Sequence, residues 1–195
     1  PNMLDAVAIG QKAGNSPYTG DMLHIVSVGR LAPEKHFENI IPVAKMLRDM
    51  STDFVWHIVG DGSEQARLES LIVENDLKDH VILDRSKTNP YPYMKYADLF
   101  VHPSYVESQG LTVLEAMALG VPCVVTKSRG PCEFIEDGVN GLLTEQSPES
   151  LAEEVLAILN DKKLYQHIKE NTKCPEQFGP ERVIKQIETM IDGEM

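Results

Sequence analysis

The sequence predicts an α/β protein with a Rossmann-like, doubly wound, mostly parallel six-stranded sheet. Short, continuous apolar runs rich in branched residues recur along the chain, as in strands that are buried on both faces of a parallel sheet. Longer amphipathic stretches separate these runs, and strands that alternate with helices are typical of doubly wound sheets. The length of 195 residues and the 42% content of hydrophobic residues fit one globular domain.

Each strand is predicted from an apolar run bounded by Gly, Asp, Pro or Thr. The clearest runs cover residues 23–29, 54–60, 80–84, 98–102 and 122–126, and residues 141–143 form a short sixth run. Residues 1–22 have no sustained period and finish in a cluster of Gly, Asn, Ser, Pro and Thr. They are predicted to be a connecting segment, which leaves residues 23–195 as the domain.

Helices are predicted between the strands. The first has an apolar stripe at helical spacing, formed by Phe37, Ile40, Ile41, Ala44 and Leu47. Its start is placed late enough to keep Pro42 in the first turn. Further helices are predicted over residues 63–74 and 109–119, and residues 151–158 begin another. In the 109–119 helix, Leu111, Leu114 and Ala118 are expected to face the core.

Composition excludes several classes of protein. The net charge of −12 argues against a nucleic-acid-binding protein, because phosphate backbones select for a positive face. No apolar run approaches the ~20 residues of a membrane span, and the N-terminus has no signal-peptide pattern. The three cysteines, Cys123, Cys132 and Cys174, lack metal or CxxC spacing. They favour reduced thiols in a cytoplasmic protein.

Ligands of doubly wound sheets bind at the carboxyl ends of the strands, so the segments after each strand are the candidate sites. After the first strand, Gly29 is followed by Arg30 and Lys35 at the mouth of a helix. Two cations and a helix N-terminus are typical of a phosphate site. The alternative is a pair of surface bases on a solvated loop.

The stretch ESQGLTVLE, residues 107–115, carries two glutamates around a glycine. A helix that begins between Ser108 and Gly110 would aim the first backbone N–H groups, including those of Leu111 and Thr112, at the strand ends. Glu107 would precede this helix and Glu115 would lie inside it. That layout suits a ligand with hydroxyls at both ends and an anionic middle, as in a nucleotide sugar. Alternatively, Glu107 is an exposed loop acid and Glu115 a core acid paired with a lysine or arginine.

Other site chemistries lack their motifs. The chain has neither GxxxxGK[ST] nor GxGxxG after a strand, so triphosphatase and dinucleotide sites are unsupported, and no cofactor is expected. It has no Asp-x-Asp pair, so no metal clamp for a diphosphate is predicted. Core or turn roles are expected for His24, His57 and His102.

Four segments in order resemble the C-terminal, donor-binding domain of the family-four retaining glycosyltransferases, which have the GT-B architecture. They are VSVGRLAPEKHFENII, HIVGDG, the long stretch NPYPYMKYADLFVHPSYVESQGLTVLEAMALGVPCVVT, and RGPCEFIEDGVNGLL. The third includes the E-x7-E pair. The resemblance covers almost the whole chain and implies that residues 23–195 are a nucleotide-sugar donor-binding domain that includes the C-terminal helices.

The resemblance implies a role for each candidate residue. Arg30 and Lys35 would hold the donor diphosphate and stabilise it as it leaves, and Glu107 would contact the transferred sugar; these three form the predicted catalytic set. Backbone N–H groups from Gly110 to Thr112 would meet the distal phosphate, and Glu115 would bind the ribose hydroxyls. Further predicted donor-binding residues are Gly29, Arg85, Ser108, Gly110, Leu111 and Thr112.

Two departures qualify the resemblance. The loop LDRSKTNP lacks the glycine that often follows the third strand in the family. Ser108 stands where many members carry glycine, although Gly110 keeps the later glycine position.

The resemblance also implies an N-terminal acceptor domain that this chain lacks, so the 195 residues are expected to be inactive alone. The last helices of the architecture return towards that domain, so a partly exposed apolar patch is predicted from one C-terminal stripe: Val183, Ile184, Ile187 and Ile191.

The function predicted is therefore transfer of a sugar from a nucleoside diphosphate, first of all uridine diphosphate (UDP), without metal. The expected product is a polysaccharide or glycoconjugate, and the expected location is the cytoplasm or the inner face of the membrane. The sequence leaves open a nucleotide-sugar epimerase of the same fold and a non-catalytic nucleotide-sugar-binding domain.

Overall fold

The computed structural model describes residues 4–85, 89–182, 184 and 185 of the chain. Within these residues six strands form one sheet in the order β3-β2-β1-β4-β5-β6, and all of its pairings are parallel. The strands are β1 (Leu23–Val28), β2 (Phe54–Gly60), β3 (Val81–Arg85), β4 (Leu99–His102), β5 (Cys123–Thr126) and β6 (Leu142–Thr144). The predicted six-stranded parallel sheet is confirmed.

The strand order reverses between β1 and β4. The chain leaves β1 towards β2 and β3 on one side, then returns to pair β4 with β1 on the other side. At such a switch point the loops after the two central strands diverge and leave a crevice at the carboxyl edge. The loops after β1 and β4 are those that carry Arg30, Lys35 and Glu107.

Helices cover both faces of the sheet. The described residues form α1 (Ala6–Lys12), α2 (Ile40–Asp49), α3 (Gln65–Glu74), α4 (Tyr91–Lys95), α5 (Leu111–Ala118), α6 (Pro148–Asn160) and α7 (Lys162–Asn171). Residues of α2, α3, α6 and α7 pack into one hydrophobic core, and residues of α1, α4 and α5 pack into a second one on the other face. The layers are therefore helix, sheet and helix.

Strand side chains alternate between the two cores. On β1, Ile25 belongs to the first core, whereas Val26 and Val28 belong to the second. This is the period-two alternation of a strand, and both of its faces are apolar because both are covered. The continuous apolar runs of the sequence have this cause.

The structure contains helices that the sequence did not predict, among them α4. The segment before residue 23 contains helix α1, which was not predicted; Asp5 caps it by accepting from the N–H of Ala8 at 2.9 Å. Pro42 is the third residue of α2, in its first turn as expected. The prediction that Leu111 faces the core is wrong, since 41% of Leu111 is exposed.

The buried residues of α5 are Val113, Leu114, Ala116 and Met117, so the prediction for Leu114 is confirmed, and Ala118 is partly buried against the same core. Of the predicted C-terminal stripe, Ile184 is half exposed, and Val183, Ile187 and Ile191 lie outside the described residues. None of the helices described is long and apolar enough to cross a membrane.

Candidate functional site

A lysine and a glutamate meet at the carboxyl edge of the sheet, in the switch-point crevice. The Lys35 Nζ lies 2.5 Å from the Glu107 Oε2, and both side chains are mostly buried, with 17% and 14% exposed. Lys35 lies seven residues beyond β1 and Glu107 five residues beyond β4. The structure therefore brings together two of the three residues predicted to be catalytic.

The path of the chain after β1 places Lys35. A 3-10 turn, Pro33–Lys35, is followed by His36 in a left-handed conformation with φ of 48°. This reverses the chain into a second 3-10 turn and then α2. His36 stacks on Tyr105 at a centroid distance of 3.9 Å, so the β1 loop packs against the β4 loop. The ammonium is thus held over the loop that carries Glu107.

Glu107 accepts hydrogen bonds from more than one side. His102, the last residue of β4, lies with its Nε2 at 3.3 Å from the Glu107 Oε2. The backbone N–H of Gly110 donates to the other oxygen, Oε1, at 3.2 Å. The hydrogen bond from His102, with those from Lys35 and Gly110, holds the pKa of Glu107 well below its usual range. Glu107 is therefore a fixed carboxylate at neutral pH.

Gly110 is the N-cap of α5 and has a conformation that suits glycine. Its φ is +68°, and a Cβ at this position would lie 3.1 Å from the Phe134 ring and 3.3 Å from Pro131. The helix thus starts abruptly after the Glu107 loop, without a side-chain cap. The N–H groups of Leu111 and Thr112, in the first turn of α5, have no partner within the helix. They add positive potential beside Lys35.

Two glycines pack closely against the loops that carry Lys35 and Glu107. A Cβ on Gly62 would lie 2.2 Å from the carbonyl oxygen of Leu31, and a Cβ on Gly130 would lie 2.7 Å from backbone atoms of Gln109. The N–H of Gly130 also donates to the Glu107 carbonyl at 2.9 Å. The turn after β2 therefore supports the β1 loop, and the loop after β5 supports the β4 loop.

The two predicted arginines lie at the same edge but have other partners. Arg30 follows Gly29 at the end of β1 and pairs with Glu34 at 2.6 Å, with 72% of its side chain exposed. Arg85 ends β3 and pairs with Glu69 at 2.7 Å, with 68% exposed. Both are surface pairs, and both guanidinium groups are accessible to a ligand. In this structure they do not extend the Lys35–Glu107 cluster.

Glu115 lies in the second turn of α5 and has a tyrosine as its partner. The Tyr91 hydroxyl, from α4, donates to the Glu115 Oε1 at 2.9 Å. Burial raises the pKa of Glu115, and the hydrogen bond from Tyr91 opposes that rise. A half-buried carboxylate held by a neutral donor matches neither a core ion pair nor an exposed acid. It is a costly arrangement for the folded chain.

The remaining predicted residues lie where α5 begins. Ser108 is exposed in the loop, Leu111 is exposed and Thr112 is half-buried. The roles of His102 and Tyr91 as partners of the two glutamates were not predicted. The packing of Gly130 against the Glu107 loop was not predicted either. The sequence feature that could have indicated His102 is its place at the last position of an apolar strand, five residues before Glu107.

Two further observations delimit the site. Among the described residues, no three His, Cys, Asp or Glu side chains gather closely enough to hold a metal ion. A separate cleft of about 500 Å³ opens at the opposite, amino edge of the sheet, where Tyr18, His24 and Asp98 lie. The Lys35–Glu107 pair is at the carboxyl edge, away from that cleft.

Comparison with known proteins gives matches over most of the chain. The model of the family Glycosyl transferases group 1 matches residues 15–174. An uncharacterized glycosyltransferase of Methanocaldococcus jannaschii is 31% identical over 156 residues, which are 79% of this chain and 43% of that protein. The N-acetyl-alpha-D-glucosaminyl L-malate synthase of Bacillus anthracis is 28% identical over 190 residues, 95% of this chain and 49% of that protein. The chain thus spans about half the length of these curated relatives.

Solved structures show the same fold. A mutant of S. aureus TarM, in complex with Fondaparinux, alpha-GlcNAc-glycerol and UDP, superposes with a TM-score of 0.79 at 26% identity, over 91% of this chain and 37% of that one. Anabaena HepE, in complex with UDP and glucose, gives a TM-score of 0.81 at 23% identity, over 98% and 55%. At 23% identity, the likeness to HepE shows the fold alone. Both confirm the predicted GT-B type of α/β architecture.

Proposed function

This chain belongs to the glycosyl transferases group 1 family, and we propose that it is the donor-binding part of a retaining glycosyltransferase. The protein transfers a sugar from a nucleoside diphosphate, with UDP as first choice, to an acceptor in polysaccharide or glycoconjugate synthesis. The observation that carries the proposal is the Lys35–Glu107 contact at the switch point of the sheet, beside the N-terminus of α5.

The donor diphosphate lies between Lys35 and the first turn of α5. Lys35 supplies a positive charge, and the N–H groups of Leu111 and Thr112 supply donors of the kind that bind phosphate. Arg30, exposed at the start of the loop after β1, turns from Glu34 to the phosphates. Charges placed where the leaving group becomes more negative stabilise the transition state.

Glu107 binds hydroxyls of the sugar. Hydrogen bonds from His102, Lys35 and Gly110 lower the pKa of its carboxyl group, and such a carboxylate is a weak general base at neutral pH. Its task is therefore to orient the sugar. When Lys35 moves to the diphosphate, the oxygen it leaves becomes an acceptor for a sugar hydroxyl.

Glu115 binds the ribose at the other end of the donor. Burial raises the pKa of its carboxyl group, and Tyr91 is its partner. Two ribose hydroxyls would satisfy the carboxylate better than one phenol does. We assign contacts with the outer parts of the donor to Ser108, which is exposed in the loop before α5, and to Arg85, which is exposed at the end of β3.

UDP is favoured by one relative. The TarM mutant, which is 26% identical to this chain, was solved with UDP. The relatives compared above are about twice as long as this chain or longer, so we assign the acceptor site to residues outside these 195. Orienting an acceptor at the sugar contributes several kcal/mol, and the 195 residues alone should bind donor without transfer.

The diphosphate is held by cations and backbone donors, so we propose that its binding does not require a divalent metal ion. We propose a cytoplasmic location for the protein, since Cys123, Cys132 and Cys174 are free thiols, as is usual in reducing compartments.

Thermal-shift screening with UDP, GDP and ADP, with and without EDTA, tests donor binding. UDP should raise the melting temperature equally in both conditions, whereas no shift with any nucleotide would contradict the proposal. Product analysis with the full-length protein then tests the reaction. Transferred sugar with the anomeric configuration of the donor is expected, and an epimerised donor would identify an epimerase instead.

A further inference from the structure

His102 contacts Glu107 but is itself withdrawn from the crevice. It ends β4, only 1% of it is exposed, and its Nε2 lies 3.3 Å from the Glu107 Oε2. The same oxygen is also the partner of Lys35. A buried ring at the end of a central strand cannot reach a donor molecule directly, but it reaches the carboxylate that we expect to bind the sugar.

The surroundings of His102 determine which ring nitrogen carries the proton. Burial lowers the pKa of His102, so the ring is neutral at physiological pH. Glu107 can only accept, so the proton is on Nε2, which donates to Oε2. Among the described residues, Nδ1 has no hydrogen-bond partner. That pattern fits an unprotonated Nδ1, because a buried N–H without an acceptor is the more costly arrangement.

Donor binding would change the balance at Glu107. Lys35 has to leave Glu107 to reach a diphosphate, and two of the three donors to the carboxylate then remain: His102 at Oε2 and the Gly110 N–H at Oε1. The Gly110 bond belongs to the backbone and is present in every variant. His102 is thus the side chain that holds Glu107 when Lys35 is engaged elsewhere.

We propose that His102 is a positioning residue for sugar recognition, which fixes the Glu107 carboxylate through an Nε2–H donor. This inference rests on the proposed function. It predicts that His102 affects the sugar-bearing donor and leaves the affinity for UDP alone nearly unchanged, because the diphosphate is bound by Lys35 and α5.

Three variants separate positioning from general stability. His102→Leu removes the donor and keeps a buried side chain, whereas His102→Gln places an amide N–H near the position of Nε2. His24→Leu is the matched control, because His24 is also a buried strand histidine, at 8% exposure, and lies near the amino end of β1. The measured quantity is the ratio of the dissociation constants for UDP and for its sugar nucleotide. The probe is UDP-glucose or UDP-N-acetylglucosamine, whichever the wild type binds more tightly.

We expect His102→Leu to reduce this ratio about tenfold, as for loss of a hydrogen bond to a charged group. His102→Gln should restore most of the ratio, and His24→Leu should leave it unchanged. An unchanged ratio in His102→Leu, or an equal loss in His24→Leu, would overturn the inference. So would a wild type that binds UDP but gains nothing from either sugar.

A carbon-13 NMR titration of the Glu107 carboxyl group needs no ligand. It distinguishes failure of this inference from failure of the proposed function. The pKa of Glu107 should rise in His102→Leu and stay low in His102→Gln and His24→Leu. If it does so while UDP fails to bind, the proposed function fails and the His102–Glu107 coupling stands. If the pKa is the same in all four proteins, His102 does not position Glu107.

Discussion

Lys35 and Glu107 are 72 positions apart in the sequence, yet their charged atoms are 2.5 Å apart at the carboxyl edge of the sheet. They meet because β1 and β4 are neighbours at the point where the strand order reverses. In this structure each satisfies the other. Donor binding should exchange this contact for two others, from Lys35 to phosphate and from Glu107 to sugar.

Removing either cation of the β1 loop should weaken UDP binding. For Lys35→Ala and Arg30→Ala we expect losses of roughly 1.5–3 kcal/mol each, if both contacts are charge-assisted hydrogen bonds. Isothermal titration calorimetry with UDP measures them. Arg48→Ala is a suitable control, because Arg48 lies at the far end of α2 and bonds to Asp49 and to the Asn75 carbonyl. If Lys35→Ala bound UDP with wild-type affinity, the assignment of the diphosphate to this site would be wrong.

Glu107 should make stability depend on acidity. Its pKa in the folded chain is lowered from the ordinary value of 4.5, so the unfolded chain binds the proton first as pH falls. Its contribution is fully present above about pH 4.5 and is lost as pH falls towards the folded value. Urea unfolding of the wild type and of Glu107→Gln should differ most at neutral pH, and the difference should shrink below pH ~4.5. A difference that stays constant from neutral pH into strong acid would mean that the lowered pKa is absent.

Glu115→Gln should stabilise the protein and weaken its nucleotide binding. Burial raises the pKa of Glu115 above 4.5, so its ionised form costs stability at neutral pH, and that cost disappears as the carboxyl group is protonated. The variant should therefore melt higher than the wild type at neutral pH, with the gap closing in acid, and should bind UDP less tightly.

Glu154→Gln is the control for Glu115. The pKa of Glu154 is also raised by burial, and Glu154 lies on α6, on the other side of the sheet. It should change stability in the same direction without affecting UDP. If Glu115→Gln binds UDP as the wild type does, Glu115 is not a ribose ligand.

Gly130→Ala should displace the loop that carries Glu107. The added Cβ would lie 2.7 Å from backbone atoms of Gln109, so the loop that carries Glu107 has to shift. We expect a lower melting temperature and a several-fold weaker affinity for a UDP-sugar. Gly10→Ala is the control, since nothing lies within 4 Å of its added Cβ. It sits inside α1 and should be stabilising by about 1 kcal/mol. Equal UDP-sugar affinities for the two variants would show that the close packing of Gly130 against Gln109 is unimportant for the site.

The strands and most helices could be predicted because burial on both faces leaves a continuous apolar run, and one-sided burial leaves a helical stripe. Helix α1 was missed because seven residues with one buried side chain, Ile9, carry too short a pattern. Helix α4 has five residues, with Pro90 before it and Pro92 inside it. So short a pattern did not predict a helix, and Tyr91 could not be placed beside Glu115.

The site was predictable only in part. Strand ends indicated Lys35 and Glu107, but their contact depends on the sheet order, which local patterns do not encode. His102 ends a buried strand and also donates a hydrogen bond to Glu107. The apolar run that predicts the strand gives no indication of this second role. The arginines were placed at the correct edge. The partner of Arg30 is Glu34, four residues along the chain, whereas the partner of Arg85 is Glu69 on α3, whose contact depends on tertiary packing.

The most direct test of the account compares UDP and its sugar nucleotide in two variants by calorimetry. Lys35→Ala should weaken both ligands by similar factors, because Lys35 contacts the diphosphate that they share. Glu107→Ala should weaken the sugar nucleotide alone and leave UDP unchanged or tighter, because Lys35 is then released from its partner. Equal losses for UDP and the sugar nucleotide in Glu107→Ala would contradict the assignment of Glu107 to the sugar.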